Sequence, residues 1–286
     1  MTVAINYANE LFYNAQKLNT RTAKRKGKVD KVWEYYPDSI DKDFAEKHKD
    51  ILSQKRGDGY WLWKPYIILD AIDKIKDGDY LIYTDSGTIY TDKVKHLTDC
   101  LRSTDILVFN VGTKECEYTK RDAFVIMNCD TPEYAESKQR LGGYIVLRKS
   151  EFSRMFVAEW LNYATDIRVI SDDDNVMGKP NYEGFIDHRH DQSILSLLSK
   201  KYKIKAYRNP SQYGMRKKEV MSFEEKEILE RSTYPQILYA HRNGKIKYVF
   251  QTDIKSWYKY VDPYRSRFFH NRITKFIKDR FNEGVK

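Results

Sequence analysis

Residues 78–90, with the sequence GDYLIYTDSGTIY, constrain the fold of this chain more than any other segment. The β-forming run at 80–83 is soon followed by an acid, a small polar residue and a glycine: Asp85, Ser86 and Gly87. Such runs are typical of buried strands in α/β sheets, and ligands bind at the carboxyl ends of those strands. A carboxylate there suits a divalent cation or a ribose hydroxyl. A strand followed by an ordinary Asp-Ser-Gly turn also explains these residues.

A second segment, RGDGYWLWKP at 56–65, combines two glycines with aromatic and cationic side chains, among them Arg56, Trp61, Trp63 and Lys64. Glycines let the backbone approach a ligand closely, aromatic faces stack on sugars and bases, and a lysine offers a point charge to phosphate. The segment therefore predicts a ligand-binding wall. The alternative is an aromatic core cluster that leads into a helix beginning at the proline.

The third segment, HRHDQSILSLL at 188–198, places Asp191 and Gln192 where a helix with an apolar face begins. A carboxylate at a helix start is favoured by the helix dipole, and it caps the first turn well. The position therefore fits both a helix cap and a catalytic acid, and the sequence leaves the two roles open.

These segments, with ECEYTKRDAF at 115–124 and RLGGYIVLRKSEFSRMFVAEWL at 140–161, resemble the GT-A type of nucleotide-sugar-dependent glycosyltransferases, especially bacterial capsule and lipopolysaccharide transferases. The resemblance implies an Asp-x-Asp-like motif that holds Mn²⁺ or Mg²⁺ against the donor diphosphate. Asp85 matches the first acid of that motif, whereas its third position is Gly87. The Asp191–Gln192 pair is similar to the Asp-Gln pair of the lipopolysaccharide galactosyltransferase and glycogenin group, which lies beside the donor sugar.

The resemblance and the residue chemistry together predict a site with four parts. The predicted catalytic residues are Asp191 and Gln192. The predicted donor-binding residues are Tyr7, Arg56, Trp61, Trp63, Lys64, Asp85, Ser86 and Gly87. The predicted acceptor-binding residues are Tyr118, Lys120, Arg121 and Asp122, which would otherwise cap and solvate a helix. The predicted metal ligands are Asp85 and His241, a late histidine in the segment YAHRNGK.

The pattern of apolar residues alternates between strands and helices along the first 165 residues. Strands are expected near 3–7, 31–36, 79–84, 106–110 and 143–147, with helices near 9–24, 41–53, 65–75, 93–101, 120–128 and 150–165. Such alternation predicts an α/β fold, and the resemblance makes it a GT-A-like single sandwich with a mostly parallel central sheet. We expect a nucleotide-sugar-binding and catalytic domain at 1–210 and a C-terminal extension at 211–286 that carries a helical appendage.

Charge points to an anionic partner, because the formal net charge is +10. Residues 264–286 contain seven Lys or Arg against two acids, and apolar residues fall along one side of the helix they would form. Basic amphipathic helices of this kind lie on anionic membrane surfaces. A terminal helix docked on the domain is the alternative.

The remaining composition indicates a cytoplasmic enzyme, peripheral on the inner face of the membrane if the terminal helix binds lipid. The sequence contains no apolar run near the roughly 20 residues of a membrane span and no signal-like N-terminus, and its three cysteines suit free thiols. The expected function is metal-dependent transfer of a hexose from a nucleoside diphosphate sugar, UDP-linked, to a glycan or lipid-linked acceptor. The alternative is a non-catalytic RNA- or anionic-glycan-binding protein, but no RNA-binding signature occurs, so nucleic acid is not an expected partner.

Overall fold

The computed structural model describes residues 1–214 and 221–242. Most strands fall in the first 150 residues of the chain, as the apolar pattern predicts. The strands are β1 (Thr2–Tyr7), β2 (Lys31–Tyr35), β3 (Tyr80–Thr84), β4 (Thr88–Tyr90), β5 (Ile106–Lys114), β6 (Lys138–Arg140), β7 (Tyr144–Arg148), β8 (Ala206–Tyr207) and β9 (Leu238–Ala240).

Helices connect these strands, and several are single turns. They are α1 (Tyr13–Thr22), α2 (Lys42–Lys47), α3 (Lys49–Leu52), α4 (Gly57–Tyr60), α5 (Trp63–Lys74), α6 (Lys95–Thr98), α7 (Glu115–Tyr118), α8 (Arg121–Ile126), α9 (Pro132–Ala135), α10 (Glu151–Ala164), α11 (Ile167–Ile170), α12 (Asp191–Lys201) and α13 (Phe223–Arg231).

The central sheet has the strand order β2-β1-β3-β7-β5-β6, and β8 pairs with β5. Strands β1, β2 and β3 are parallel, β7 runs antiparallel to both β3 and β5, and β8 is parallel to β5. Strand β6 is antiparallel to β5, so five of the seven strands share one direction. The mixed α/β fold with a mostly parallel sheet, as the sequence predicts, is therefore confirmed.

The sheet is buried on both faces, which explains the nearly continuous apolar sequences of its inner strands. Strands β1 and β3 are buried over almost their whole length. On one face α10 packs against α5 and α12. Helix α10 is capped by Ser150, whose side chain accepts a hydrogen bond from the Ser153 amide, and it buries Phe156, Val157 and Trp160. Full burial of each such side chain contributes roughly 1.5–3 kcal/mol.

A second, two-stranded sheet brings a late part of the chain back to the end of β3. Strand β9 pairs antiparallel with β4, with Thr88 opposite Ala240. Directly beyond this pairing, the amides of His241 and Arg242 both donate to the carbonyl oxygen of Gly87. The Asp-Ser-Gly segment is therefore fixed between the main sheet and residues 240–242.

The compact unit of the fold is Met1–Gly244. The boundary expected at residue 210 stays a prediction. The helix expected at 264–286, and with it the membrane-binding surface and the helical appendage, lies outside the described residues. Within 1–214 and 221–242, no helix combines the length and apolar character that crossing a membrane requires.

Candidate active site

A cleft of about 580 Å³ opens at the carboxyl ends of β1 and β3. Five segments supply most of its walls: the ends of both strands, the aromatic segment around 55–64, the Gly-Gly turn at 141–144 and the start of α12. The cleft thus brings together all the predicted donor-binding and catalytic residues, from four separate parts of the sequence. In open α/β sheets, ligands usually bind beyond the carboxyl ends of the strands, at the point where the strand order reverses.

Asp85 stands at the mouth of this cleft, directly after β3, and its side chain is 50% exposed. The Tyr83 hydroxyl donates to Asp85 Oδ1 over 2.6 Å, and the Asp85 amide donates to the carbonyl oxygen of Gly143. Burial, and then the nearby Asp85 charge, raise the pKa of Tyr83, so its hydroxyl keeps its proton and remains a donor. One hydrogen bond therefore fixes the Asp85 carboxylate, and the other fixes its backbone.

Lys64 lies between the two predicted functional acids. Its Nζ is 2.7 Å from Asp191 Oδ2 and 3.7 Å from Asp85 Oδ1, and the residue is only 3% exposed. Burial acts to lower the pKa of Lys64, but the charges of Asp191 and Asp85 outweigh it and raise that pKa. The ammonium is therefore permanent at neutral pH, and the three groups together carry one net negative charge when both acids are ionised.

Asp191 is the first residue of α12 and is 3% exposed, yet it lines the cleft. Its carboxylate is paired with Lys64, and no side-chain cap hydrogen bond is formed at the preceding residue, His190. Burial raises the pKa of Asp191 to about 6, although the Lys64 charge opposes the shift. A carboxyl group that titrates near neutral pH inside a cleft is suited to proton transfer.

A pH profile follows from this pKa. If transfer needs the ionised Asp191 carboxylate, kcat should be nearly constant above about pH 7 and should fall as the pH drops through about 6. Well below that value the rate should fall about tenfold per pH unit, because one proton inactivates the enzyme. Initial rates at saturating donor and acceptor between pH 4.5 and 8.5 measure this, with melting temperatures recorded at each pH. A rate that stays constant down to pH 5 in a folded protein would contradict the assignment.

Gln192 is engaged by the protein at both ends of its side-chain amide. Its Oε1 accepts from the Gly142 amide over 3.0 Å, and its Nε2 donates to Gln139 Oε1 over 2.9 Å. A Cβ atom at Gly142 would lie 2.9 Å from the Gln192 Cβ and 3.2 Å from Asp191 Oδ2. The Gly-Gly turn thus passes directly against the first turn of α12, and only a residue without a side chain fits there.

The aromatic wall is built by rings that stack on one another. Tyr7 and Trp63 are stacked with centroids 3.8 Å apart, and the Tyr7 hydroxyl donates to Asp58 Oδ2 over 2.5 Å. Trp63 Nε1 donates to the carbonyl oxygen of Gly57. The facing sides of these two rings are covered by each other, so a ligand can contact only their edges and outer faces. Ser86, the other predicted donor residue here, donates to the carbonyl oxygen of Tyr7 and so joins the ends of β1 and β3.

The segment at 57–61 has a positive φ at five successive residues, three of which are not glycine: Asp58, Tyr60 and Trp61. A left-handed conformation costs a non-glycine residue roughly 1–2 kcal/mol. The rings of Tyr60 and Trp61 pack on the His190 imidazole at centroid distances of 4.9 and 5.3 Å. Strained backbone of this kind is concentrated at functional sites, and here it packs against the residue that precedes Asp191.

Arg56 lines the cleft, but its guanidinium is paired with two acids of a neighbouring loop. It contacts Asp187 at 2.7 Å and Asp172 at 3.1 Å. To contact the donor, the Arg56 guanidinium would have to leave these two carboxylates or bind the donor alongside them. That contact stays a prediction.

The four predicted acceptor-binding residues lie outside the cleft, and three of them, Lys120, Arg121 and Asp122, hold the loop at 171–187. Lys120 Nζ donates to the Asp173 carbonyl oxygen, and the Asp122 carboxylate accepts from the amides of Val176 and Met177. The remaining two are also engaged: Arg121 pairs with Asp130 and stacks on Tyr182, and Tyr118 lies under the Arg189 guanidinium. Lys120 alone reaches a separate depression beside this loop. Acceptor binding by these residues stays a prediction.

The residues available to a divalent cation are few. Across 1–214 and 221–242, no three His, Cys, Asp or Glu side chains are grouped so that they could hold a metal ion. Asp85 is the acid that the described cleft offers at its mouth, and His241 is joined to the motif through its amide, which donates to Gly87. Mg²⁺ in nucleotide sites usually takes one or two carboxylates plus phosphate oxygens and water. The site therefore fits a cation that arrives with a diphosphate, and it does not fit an all-protein cage.

Several residues of the cleft are absent from the sequence-based assignment. They are Asn9, Asp58, Tyr83, Gly142, Gly143, Tyr213 and Arg242. The Gly-Gly pair carried a visible signal, because two adjacent glycines before a buried strand indicate close backbone approach. The others carry none, since single polar residues far apart in the chain give no pattern.

Comparisons with known proteins show similarity in fold alone. No family model matches the chain, and no curated protein does. The mouse xyloside xylosyltransferase 1 is 9% identical, with 84% of this chain and 97% of that chain covered and a TM-score of 0.40. The WbbM bifunctional glycosyltransferase is 10% identical over 83% of this chain and 45% of that one, with a TM-score of 0.45. The galactosyltransferase LgtC, in complex with donor and acceptor sugar analogues, is 13% identical over 84% and 87%, also with a TM-score of 0.45. All three are structures of glycosyltransferases, and each is similar to this chain at a TM-score below 0.5.

Proposed function

We propose that this protein is a glycosyltransferase that moves a hexose from a nucleoside diphosphate sugar, UDP-linked, to a hydroxyl of a surface polysaccharide or a lipid-linked glycan. The observation that carries the proposal is the group of Asp85, Lys64 and Asp191 in a cleft at the strand ends. One acid is half exposed, one is buried with a raised pKa, and a buried ammonium joins them.

The two acids suit different parts of the transfer. As a nucleoside diphosphate leaves, negative charge builds on its phosphates while the sugar gains positive character. If the enzyme inverts, Asp191 takes the proton from the acceptor hydroxyl while that oxygen attacks the sugar carbon. If it retains, Asp191 or Gln192 stabilises the sugar cation. Lys64 keeps Asp191 fixed, and it favours the ionised form of this buried acid.

The diphosphate would bind on the open side of the cleft, beside Asp85. Mn²⁺ or Mg²⁺ would be held by Asp85 together with donor oxygens, and it would neutralise charge on the leaving group. His241, the second predicted ligand, does not line the cleft and is joined to the Asp-Ser-Gly segment through its amide, which donates to Gly87. The edges of Tyr7 and Trp63 and the outer face of Trp61 offer stacking surface for the nucleoside.

A binding protein for RNA or an anionic glycan remains the alternative function. The group of Asp85, Lys64 and Asp191 disfavours it, because two carboxylates beside one ammonium would repel a polyanion at close range. A site with this charge instead suits a ligand that brings a cation with it.

The experiment that tests the proposal is a donor screen. The protein is melted with UDP-, GDP- and dTDP-sugars in the presence and absence of Mn²⁺, and nucleotide release is measured for each donor. We expect one donor class to raise the melting temperature and to be hydrolysed slowly without an acceptor. Stabilisation by oligonucleotides with none by any nucleotide sugar would support the binding protein instead.

A further inference from the structure

Gly87, which stands where the resemblance places a second acid, is in direct contact with the backbone of Arg242. A Cβ atom at position 87 would lie 3.0 Å from the Arg242 Cα and 3.3 Å from its amide nitrogen. The amides of His241 and Arg242 donate to the Gly87 carbonyl oxygen at 2.9 and 3.0 Å. An acidic side chain at 87 would therefore have to displace the chain that follows β9.

The same turn directs a cation into the cleft. Arg242 has a φ of 57°, a left-handed conformation, and its guanidinium lies over the Tyr213 ring at 5.2 Å. Both side chains line the cleft that contains Asp85. Burial, and to a smaller extent the Asp85 charge, raise the pKa of the Tyr144 hydroxyl, whereas the Arg242 charge lowers it. Asp85 and Arg242 therefore lie on the same side of the cleft, near one phenol.

Arg242 differs in its partners from Lys64 and Arg56, two other cations of the cleft. Lys64 is held between Asp85 and Asp191, and Arg56 is paired with two acids of the loop at 171–187. Within the described ranges, no carboxylate forms an ion pair with Arg242. A guanidinium stacked on an aromatic ring keeps its N–H groups free for two parallel hydrogen bonds, which is the geometry that phosphate groups accept.

We infer that Arg242, whose backbone is fixed beside Gly87, binds the diphosphate of the donor with its guanidinium, in place of a second metal-binding acid at position 87. This inference rests on the proposed function, because it names the group that holds the phosphates of that donor. It also explains the Asp-Ser-Gly sequence. With one acid and one adjacent arginine, the site gathers less negative charge around a cation and supplies positive charge of its own.

The test compares diphosphates with the matching nucleosides. Calorimetric dissociation constants are measured for UDP, GDP and dTDP and for uridine, guanosine and thymidine, with wild type, Arg242→Gln and Arg242→Lys, at fixed Mg²⁺. For the base that wild type prefers, Arg242→Gln should weaken the diphosphate about 10- to 100-fold, the usual effect of hydrogen bonds to a charged group. Nucleoside affinity should stay unchanged. Arg242→Lys should fall between the two proteins, because it keeps the charge but loses the planar fork.

Arg25→Gln is the matched control, since Arg25 is exposed and does not line the cleft. Equal diphosphate affinity in wild type and Arg242→Gln would overturn the inference, and so would an equal loss for nucleoside and diphosphate, which would show that Arg242 acts through the fold. A wild-type protein that binds no nucleoside diphosphate would overturn the proposed function itself. Melting temperatures of the variants distinguish lost binding from lost folding.

Discussion

The Asp191→Asn protein should fold, bind the donor and transfer sugar roughly 10²- to 10⁴-fold more slowly than wild type, the usual effect of losing a general base. Asparagine has nearly the same shape, and its carbonyl oxygen can still accept from Lys64. It cannot take a proton or carry a negative charge. The measurements are kcat at saturating donor and acceptor, the donor dissociation constant and the melting temperature.

Asp105→Asn is the control for this substitution. Asp105 also forms a close ion pair, with Arg148, but it does not line the cleft. Both variants should lose some stability, whereas only Asp191→Asn should lose turnover. The rate of Asp191→Asn should also not decline near pH 6, because in wild type that decline comes from protonation of Asp191. If Asp191→Asn keeps most of its activity, the catalytic group lies elsewhere.

The structure shows what the Asp191 carboxylate contacts, which bears on the two roles that the sequence left open for it. A capping acid would accept hydrogen bonds from amides of the first helical turn. The carboxylate of Asp191 is paired chiefly with Lys64, which is 127 positions away in the chain, and the Gln192 amide has a smaller effect on its pKa. Sequence patterns report local periodicity, and they carry no information about a contact over that separation.

The inner strands and the long helices were predictable because burial and periodicity are local properties. Strands β1 and β3 have apolar residues at nearly every position, and α10 repeats its apolar residues at helical spacing. The antiparallel direction of β7 was not predictable, because the direction of a strand depends on how its connections cross the sheet. The short strands β4 and β9 were also not predicted, since three residues are too few to show a periodic pattern.

The segment at 118–122 shows that the same residue chemistry fits two uses. Two cations and an acid at a helix start suggest sugar binding, but Lys120 and Asp122 bond to the backbone of the loop at 171–187. Charged side chains that satisfy the amides and carbonyls of a loop look the same in sequence as those that bind a ligand. Only the partner distinguishes the two uses.

Lys64→Met should abolish transfer and destabilise the fold, because methionine keeps the volume of the side chain but removes the charge between two acids. Loss of one partner from a buried ion pair typically costs about 3–5 kcal/mol. Without the ammonium, burial and the Asp85 charge would both raise the pKa of Asp191 further. The free energy of unfolding, from urea titration, and kcat measure the two effects. Lys74→Met, which breaks an exposed pair with Asp70, is the control and should cost at most about 1 kcal/mol.

The pH dependence of that destabilisation identifies its cause. In wild type, Asp191 is ionised and paired with Lys64 above about pH 6, and it takes up a proton below that value. The stability difference between wild type and Lys64→Met should therefore be large at pH 8 and smaller at pH 5, where wild type has already lost most of this interaction. Combining Lys64→Met with Asp191→Asn should restore part of the stability at pH 8, because the buried charge is gone, yet leave the protein inactive. A double variant no more stable than Lys64→Met would show that the lysine stabilises the fold through its packing against Trp63 and Tyr83 rather than through Asp191.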